Sequence, residues 1–275
     1  MSTTASTTAS STSFAPSTVT ESAGAGHGAA LRVNGVTKRY GGLKVFENLS
    51  FELGVGEVLG VIGPNGAGKT TLINVLCGST GCTGGHITLR GREIGGLPLH
   101  EVSCHGLVRT FQQTNTFRSK SVRENLGYAL RFSRSDAAQH AHVSEMFERF
   151  ELAPRLDEMS DKLPYSLQKM LGLLLAFIAK PSVLLMDEPA AGLERREREY
   201  IDFFIHKARE ALGCSVLIVE HDIDLIRRLC ERVIVLDGGR LLAAGETAEV
   251  LSRKDVLAAY VGEIEETADA DGSQH

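Results

Sequence analysis

The segment GPNGAGKT, Gly63 to Thr70, matches the pattern G-x-x-x-x-G-K-[ST] and lies between an apolar strand-like run and a helix-like one. Glycines at these places let backbone N–H groups wrap phosphate oxygens, while the following helix N-terminus adds positive potential. Gly63, Pro64, Asn65, Gly66, Ala67 and Gly68 supply the loop. Lys69 would reach the outer phosphates, and Thr70, with Thr71 beside it, would offer a hydroxyl to Mg²⁺. The pattern arises by chance in about one chain in a hundred of this length, so the flanking strand and helix carry much of its weight.

Further on, SVLLMDEP brings Asp187 and Glu188 to the end of an apolar run, where open α/β sheets place their chemistry. Asp187 suits a Mg²⁺ ligand acting through water, and Glu188 a base that polarises the attacking water. Another such run, VLIVEHD, ends at His221. Alone, that imidazole reads as a structural hydrogen-bonding residue. Beside Gly63–Thr70 and Asp187–Glu188 it reads as a holder of phosphate and water.

These residues need a scaffold of strands and helices. LRVNGVTKRY and VFENLSFEL alternate like strands, GEVLGVIG leads into the glycine loop, and GHITLRG follows the helix after it. From about Ser121 to Ala179 the pattern turns helical, as in AAQHAHVSEMFERFEL. Apolar strands and helices then alternate through PSVLLMDEP, REREYIDFFIHKAREAL, CSVLIVEHD, IDLIRRLCE and RVIVLDGG, the mark of a buried parallel sheet. The fold class is therefore α/β: a P-loop NTPase core with an antiparallel β subdomain and an inserted helical subdomain over about 113–179. The first 29 residues, rich in Ser, Thr and Ala, bury too little to offset ordering entropy and read as a disordered tail. The domain spans 30–262, and 263–275 reads as an acidic disordered tail.

Composition narrows the function. Of 275 residues, 43% are hydrophobic and the net charge is −5, so no global basic field recruits nucleic acid. Five scattered cysteines without C-x-x-C pairing read as reduced thiols. The longest apolar stretch, MLGLLLAFIA, is too short for a membrane span, which leaves any membrane role to a partner.

In this order and spacing the motifs resemble the nucleotide-binding subunit of an ABC transporter, and RTFQ, DEPAAGL, VEHD and LAAYVG are similar to the ATPases of branched-chain amino acid importers. Urea and short-amide importers share these marks. The resemblance implies that Tyr40 stacks on adenine and that Gln112 meets Mg²⁺ and the attacking water, with Gln113 a competing assignment. It also implies that the helical subdomain docks on a permease. Implied partners are integral membrane permease subunits, a second ATPase subunit (a heterodimer favoured over a homodimer) and, indirectly, a solute-binding protein. The place would be peripheral, on the cytoplasmic face of the cell membrane.

One segment departs from the family. Its signature, usually LSGGQ, acts on the partner subunit's nucleotide. Here Leu163 lies 24 positions before Asp187, the family spacing, and LPYSL occupies the place. Tyr165, Ser166, Leu167 and Gln168 would form the signature contact. Ser166 replaces a glycine, at a cost of about 1–2 kcal/mol if a left-handed backbone is needed. Leu175 stands where arginine is usual. The substitution bears on the partner's site rather than on this chain's own, and it keeps open a non-hydrolysing regulatory role.

Overall fold

The computed structural model describes residues 28–110, 116–133 and 137–259. Most of the N-terminal tail, the acidic tail, Gln112 and Gln113 lie outside the described residues.

The described residues form two sheets. The first is antiparallel, in the order β2-β1-β4-β5, from β1 (Ala29–Tyr40), β2 (Leu43–Gly54), β4 (Gly84–Leu89) and β5 (Arg92–Glu93). The second has the order β10-β9-β3-β8-β7-β6. Its members β3 (Val58–Ile62), β6 (Leu107–Thr110), β7 (Val183–Asp187), β8 (Ser215–Val219) and β9 (Arg232–Asp237) are parallel. The last, β10 (Arg240–Glu246), closes one edge antiparallel to β9.

The parallel strands are apolar throughout because both faces are covered, and alternation sends successive side chains to different cores. Val58, Ile62, Leu184, Met186, Val216 and Ile218 pack with α5 (Tyr165–Ile178), α6 (Arg198–Leu212) and α7 (Ile223–Leu229). Leu59, Val61, Val183, Leu185, Leu217 and Val219 pack with α1 (Lys69–Leu76) and the antiparallel sheet. Sequence periodicity anticipated most of this. The short strands β5 and β6, the edge strand β10 and the one-and-a-half-turn α2 (Leu99–Cys104) were not among the expected elements.

The helical region consists of α3 (Val122–Phe132), α4 (Ala137–Arg149) and α5. Helix α3 starts with a capping box: Ser121 accepts from the Glu124 N–H at 3.2 Å, and the Glu124 carboxylate accepts from the Ser121 N–H at 2.9 Å. Among the described residues no helix is long and apolar enough to cross a membrane.

Candidate active site

The glycine loop joins β3 to α1, and its conformation requires glycine at two positions. Gly63 has φ 149°, and a Cβ there would lie 2.0 Å from the Leu236 carbonyl oxygen of β9; Gly68 has φ 99° and faces Val45 and Phe46 of β2. The antiparallel sheet therefore sits directly on the loop. Lys69 is buried, and its ammonium donates to the carbonyls of Gly63 (2.5 Å) and Pro64 (2.8 Å), holding the loop folded around it. Asn65, Gly66 and Thr70 are exposed, Thr71 is half-buried and Ala67 is buried against β2 and α1 neighbours. Tyr40 ends β1 with half its surface exposed, and Lys38 lies 4.4 Å above its ring.

Asp187 ends β7 with its side chain out of solvent. Oδ2 accepts from Arg109 at 2.8 Å, whereas Oδ1 is buried with no hydrogen-bond partner. Burial pushes the carboxyl upward from its ordinary value, and the Arg109 and Lys69 cations oppose that shift. An orphaned buried carboxylate oxygen fits a metal ligand, and the hydroxyl of exposed Thr70 at the head of α1 would supply a second hard oxygen.

Glu188 follows with φ 48°, a left-handed conformation that costs a non-glycine residue about 1–2 kcal/mol. Its N–H donates to the Val219 carbonyl at 2.9 Å. Its carboxylate lies 3.1 Å from His221 Nε2, which places the end of β7 beside the end of β8. Between them, buried Glu220 accepts from the N–H groups of Ala190 (2.8 Å) and His221 (3.2 Å), bridging the two loops. Burial raises its pKa. Asp222 caps α7 and pairs with Arg198 of α6.

The signature segment opens α5. Pro164 stands at the N-cap, and Tyr165 is about half-exposed. Ser166 is helical and absent from the positive-φ residues, so the expected left-handed cost does not arise there. That cost falls instead on Glu188. Leu167 joins the core, and Gln168 donates to the Leu163 carbonyl at 2.8 Å.

One turn into α5, buried Lys169 donates to the carbonyls of Pro189 (3.0 Å) and Ala191 (2.5 Å), with Glu188 at 3.4 Å. Burial lowers its pKa, against the attraction of Glu220 and Glu188. Tyr165 lies under the same ammonium, and a Cβ on Gly192 would come within 2.9 Å of its ring. The signature helix is thus tied to the turn that carries Glu188.

The structure brings Lys69, Asp187, Glu188 and His221 to the C-terminal edge of one parallel sheet, the arrangement of a P-loop cassette that can bind and cleave a nucleoside triphosphate. Sequence reasoning missed Arg109 and Glu220. A charged residue inside the otherwise apolar GLVRTF was the available signal for the first.

The ABC transporter family model matches residues 46–191, and the chain belongs to that family. It is 36% identical over 249 residues to the high-affinity branched-chain amino acid transport ATP-binding protein LivG of Salmonella typhimurium, covering 85% of this chain and 98% of the relative. BraF of Pseudomonas aeruginosa, with the same description, is 34% identical with the same coverage. The lipopolysaccharide export ATP-binding protein LptB of Escherichia coli is 31% identical, over 86% of this chain and 98% of its own. Among solved structures, the ADP conformation of MJ1267, an ATP-binding cassette of an ABC transporter, superposes with TM-score 0.73 at 26% identity, covering 85% of this chain and 99% of that one.

Proposed function

We propose that this chain is the ATP-hydrolysing subunit of an importer for branched-chain or related amino acids, peripheral to the cytoplasmic face of a membrane. The observation that carries the reading is the Glu188–His221 pair beside the glycine loop, 3.1 Å apart at adjacent strand ends. Lys69 would exchange its loop carbonyls for phosphate oxygens when ATP arrives, and Tyr40 would stack on adenine. Glu188 would take a proton from the attacking water, with His221 holding the carboxylate and the phosphate in register. Thr70 and Asp187, joined by Gln112, would hold Mg²⁺, which when bound neutralises developing phosphate charge.

A docking place for the permease is supported by a groove of about 770 Å³ lined by Phe117, Lys120, Tyr128, Ala129 and Leu175. Phe117 is well exposed and meets Tyr128 edge-on at 5.4 Å. Buried Asn125 fixes the loop beneath it, accepting from the Phe117 N–H at 2.8 Å and donating to the carbonyls of Phe117 and Ser121. Leu175, in place of arginine, makes this groove suited to an apolar helix of the permease.

Leucine-stimulated ATP hydrolysis by the chain reconstituted with its permease, sister ATPase and binding protein tests the proposal. Stimulation by leucine supports it; stimulation by urea alone would move the substrate to the short amides. Ser166 in the signature favours one second reading, a non-hydrolysing ATP-binding regulatory subunit. Turnover unchanged by Lys69→Ala in this chain alone would contradict hydrolysis at its own site.

A further inference from the structure

Arg109 lies on the edge strand β6, opposite Leu185 of β7. Alternation puts Arg109, Leu185 and Asp187 on one face of the sheet, the face that α1 covers. There the guanidinium bridges two elements. Nη2 donates to Asp187 Oδ2 at 2.8 Å, and Nη1 donates to Asn74 Oδ1 at 2.5 Å. Asn74 stands on α1 one turn beyond Thr70, so the bridge joins the helix carrying one expected metal-binding oxygen to the strand carrying the other. The ion pair is almost wholly buried, with 8% of the Arg109 side chain exposed and none of Asp187. A forked, planar cation suits such a bridge because one nitrogen can serve each partner. Asp187 Oδ1 is left buried and without a partner, while Oδ2 accepts from Arg109.

We propose that Arg109 is a positioning residue of the magnesium half-site. It anchors one oxygen of Asp187 to the phosphate-loop helix and thereby leaves the other as the acceptor for the cation that accompanies ATP. The inference rests on the reading of the site as a Mg²⁺–ATP site. Arg109 itself touches neither nucleotide nor water in this scheme; it acts through Asp187. Groups that orient a metal-binding carboxylate are typically worth about 10–100-fold in metal affinity.

The test measures binding of a fluorescent ATP analogue by the full chain, with Mg²⁺ and with EDTA, for wild type, Arg109→Met, Arg109→Lys and Asn74→Ala. Wild type is expected to bind more tightly with Mg²⁺. Arg109→Met should lose that gain by about 10–100-fold while its binding in EDTA is retained. Arg109→Lys should recover part of the gain, and Asn74→Ala should lose less than Arg109→Met. Titration of Mn²⁺ by electron paramagnetic resonance should rank the variants in the same order. If Arg109→Met fails to fold, the lysine and Asn74 variants carry the comparison by the same two readouts. A Mg²⁺ gain equal to wild type, or an equal loss with Mg²⁺ and with EDTA, would overturn the proposal. Wild type showing no Mg²⁺ gain at all would overturn the underlying reading and this inference with it.

Discussion

At the scale of single residues, strain and buried charge concentrate beside Glu188. Its left-handed backbone is held by the Val219 carbonyl on one side and by Lys169, which donates to the carbonyls of the same turn, on the other. Lys169→Met keeps most of the length of the side chain, one atom short, and removes every donor. It should destabilise the fold by about 1–3 kcal/mol in urea titration, since buried carbonyls lose their partners. Relief of the buried ammonium's desolvation offsets part of that loss. Turnover should fall as well, because the turn that aims Glu188 loosens.

Glu220 gives a pH signature with a definite sign. Its folded pKa is raised by burial, so the folded state binds more protons than the unfolded chain at pH values between the ordinary and raised pKa. Its contribution to stability therefore falls as pH rises through that window. Glu220→Gln should become more stable relative to wild type from acid to neutral pH. The gap should widen across that window and then level off, as read by melting in a pH series. A gap constant with pH would mean that Glu220 is not the buried carboxylate in question.

At the scale of elements, the exposed rim of the helical region is the part proposed to dock on the permease. Phe117→Ser removes the most exposed ring of the groove while leaving the Asn125 loop bonds, which use the backbone of Phe117. Stability should change by no more than about 0.5 kcal/mol. Basal nucleotide hydrolysis by the chain with its sister ATPase should persist, and stimulation by the assembled permease should drop. Loss of basal hydrolysis with unchanged stimulation ratio would argue that the groove serves the site and not a partner.

This scale also shows what the sequence made legible. Val58–Ile62, Val183–Asp187 and Ser215–Val219 are strands buried on both faces, and their unbroken apolar runs, bounded by Gly63, Glu188 and Glu220, could be read directly. The residues at their ends came with them: Lys69, Asp187, Glu188 and His221 all lie at or just beyond the end of such a run. Strand β6 was illegible because four residues at a sheet edge, with Arg109 among them, carry no clear period. Arg109 and Glu220 matter through partners 78 and 30 residues away, a separation that no local pattern encodes. The strain expected at Ser166 could not be assigned without φ, and the helix starting at Tyr165 relieves it.

At the scale of the whole molecule, the proposed function gives the chain two nucleotide-facing surfaces and the fold joins them. The cassette edge bearing Lys69 and Glu188 would serve its own nucleotide, and the start of α5 would face the nucleotide held by a partner subunit. Lys169 and the contact between Tyr165 and Gly192 join them. In a heterodimer, the Cβ of Ser166, rather than any backbone strain, would hold the helix start back from the partner's nucleotide and weaken the partner's site, while this chain's site stays complete. Ser166→Gly should then raise turnover assigned to the partner's site and leave this chain's own turnover unchanged.

The claim beneath all of this is that the chain hydrolyses ATP with Glu188 as base. Steady-state phosphate release by the assembled transporter, compared between wild type and Glu188→Gln in this chain, tests it most directly. With the partner's own site silenced in both samples, the account predicts a loss of about 10²–10⁴-fold in turnover with ATP binding retained. Turnover that survives Glu188→Gln would contradict it.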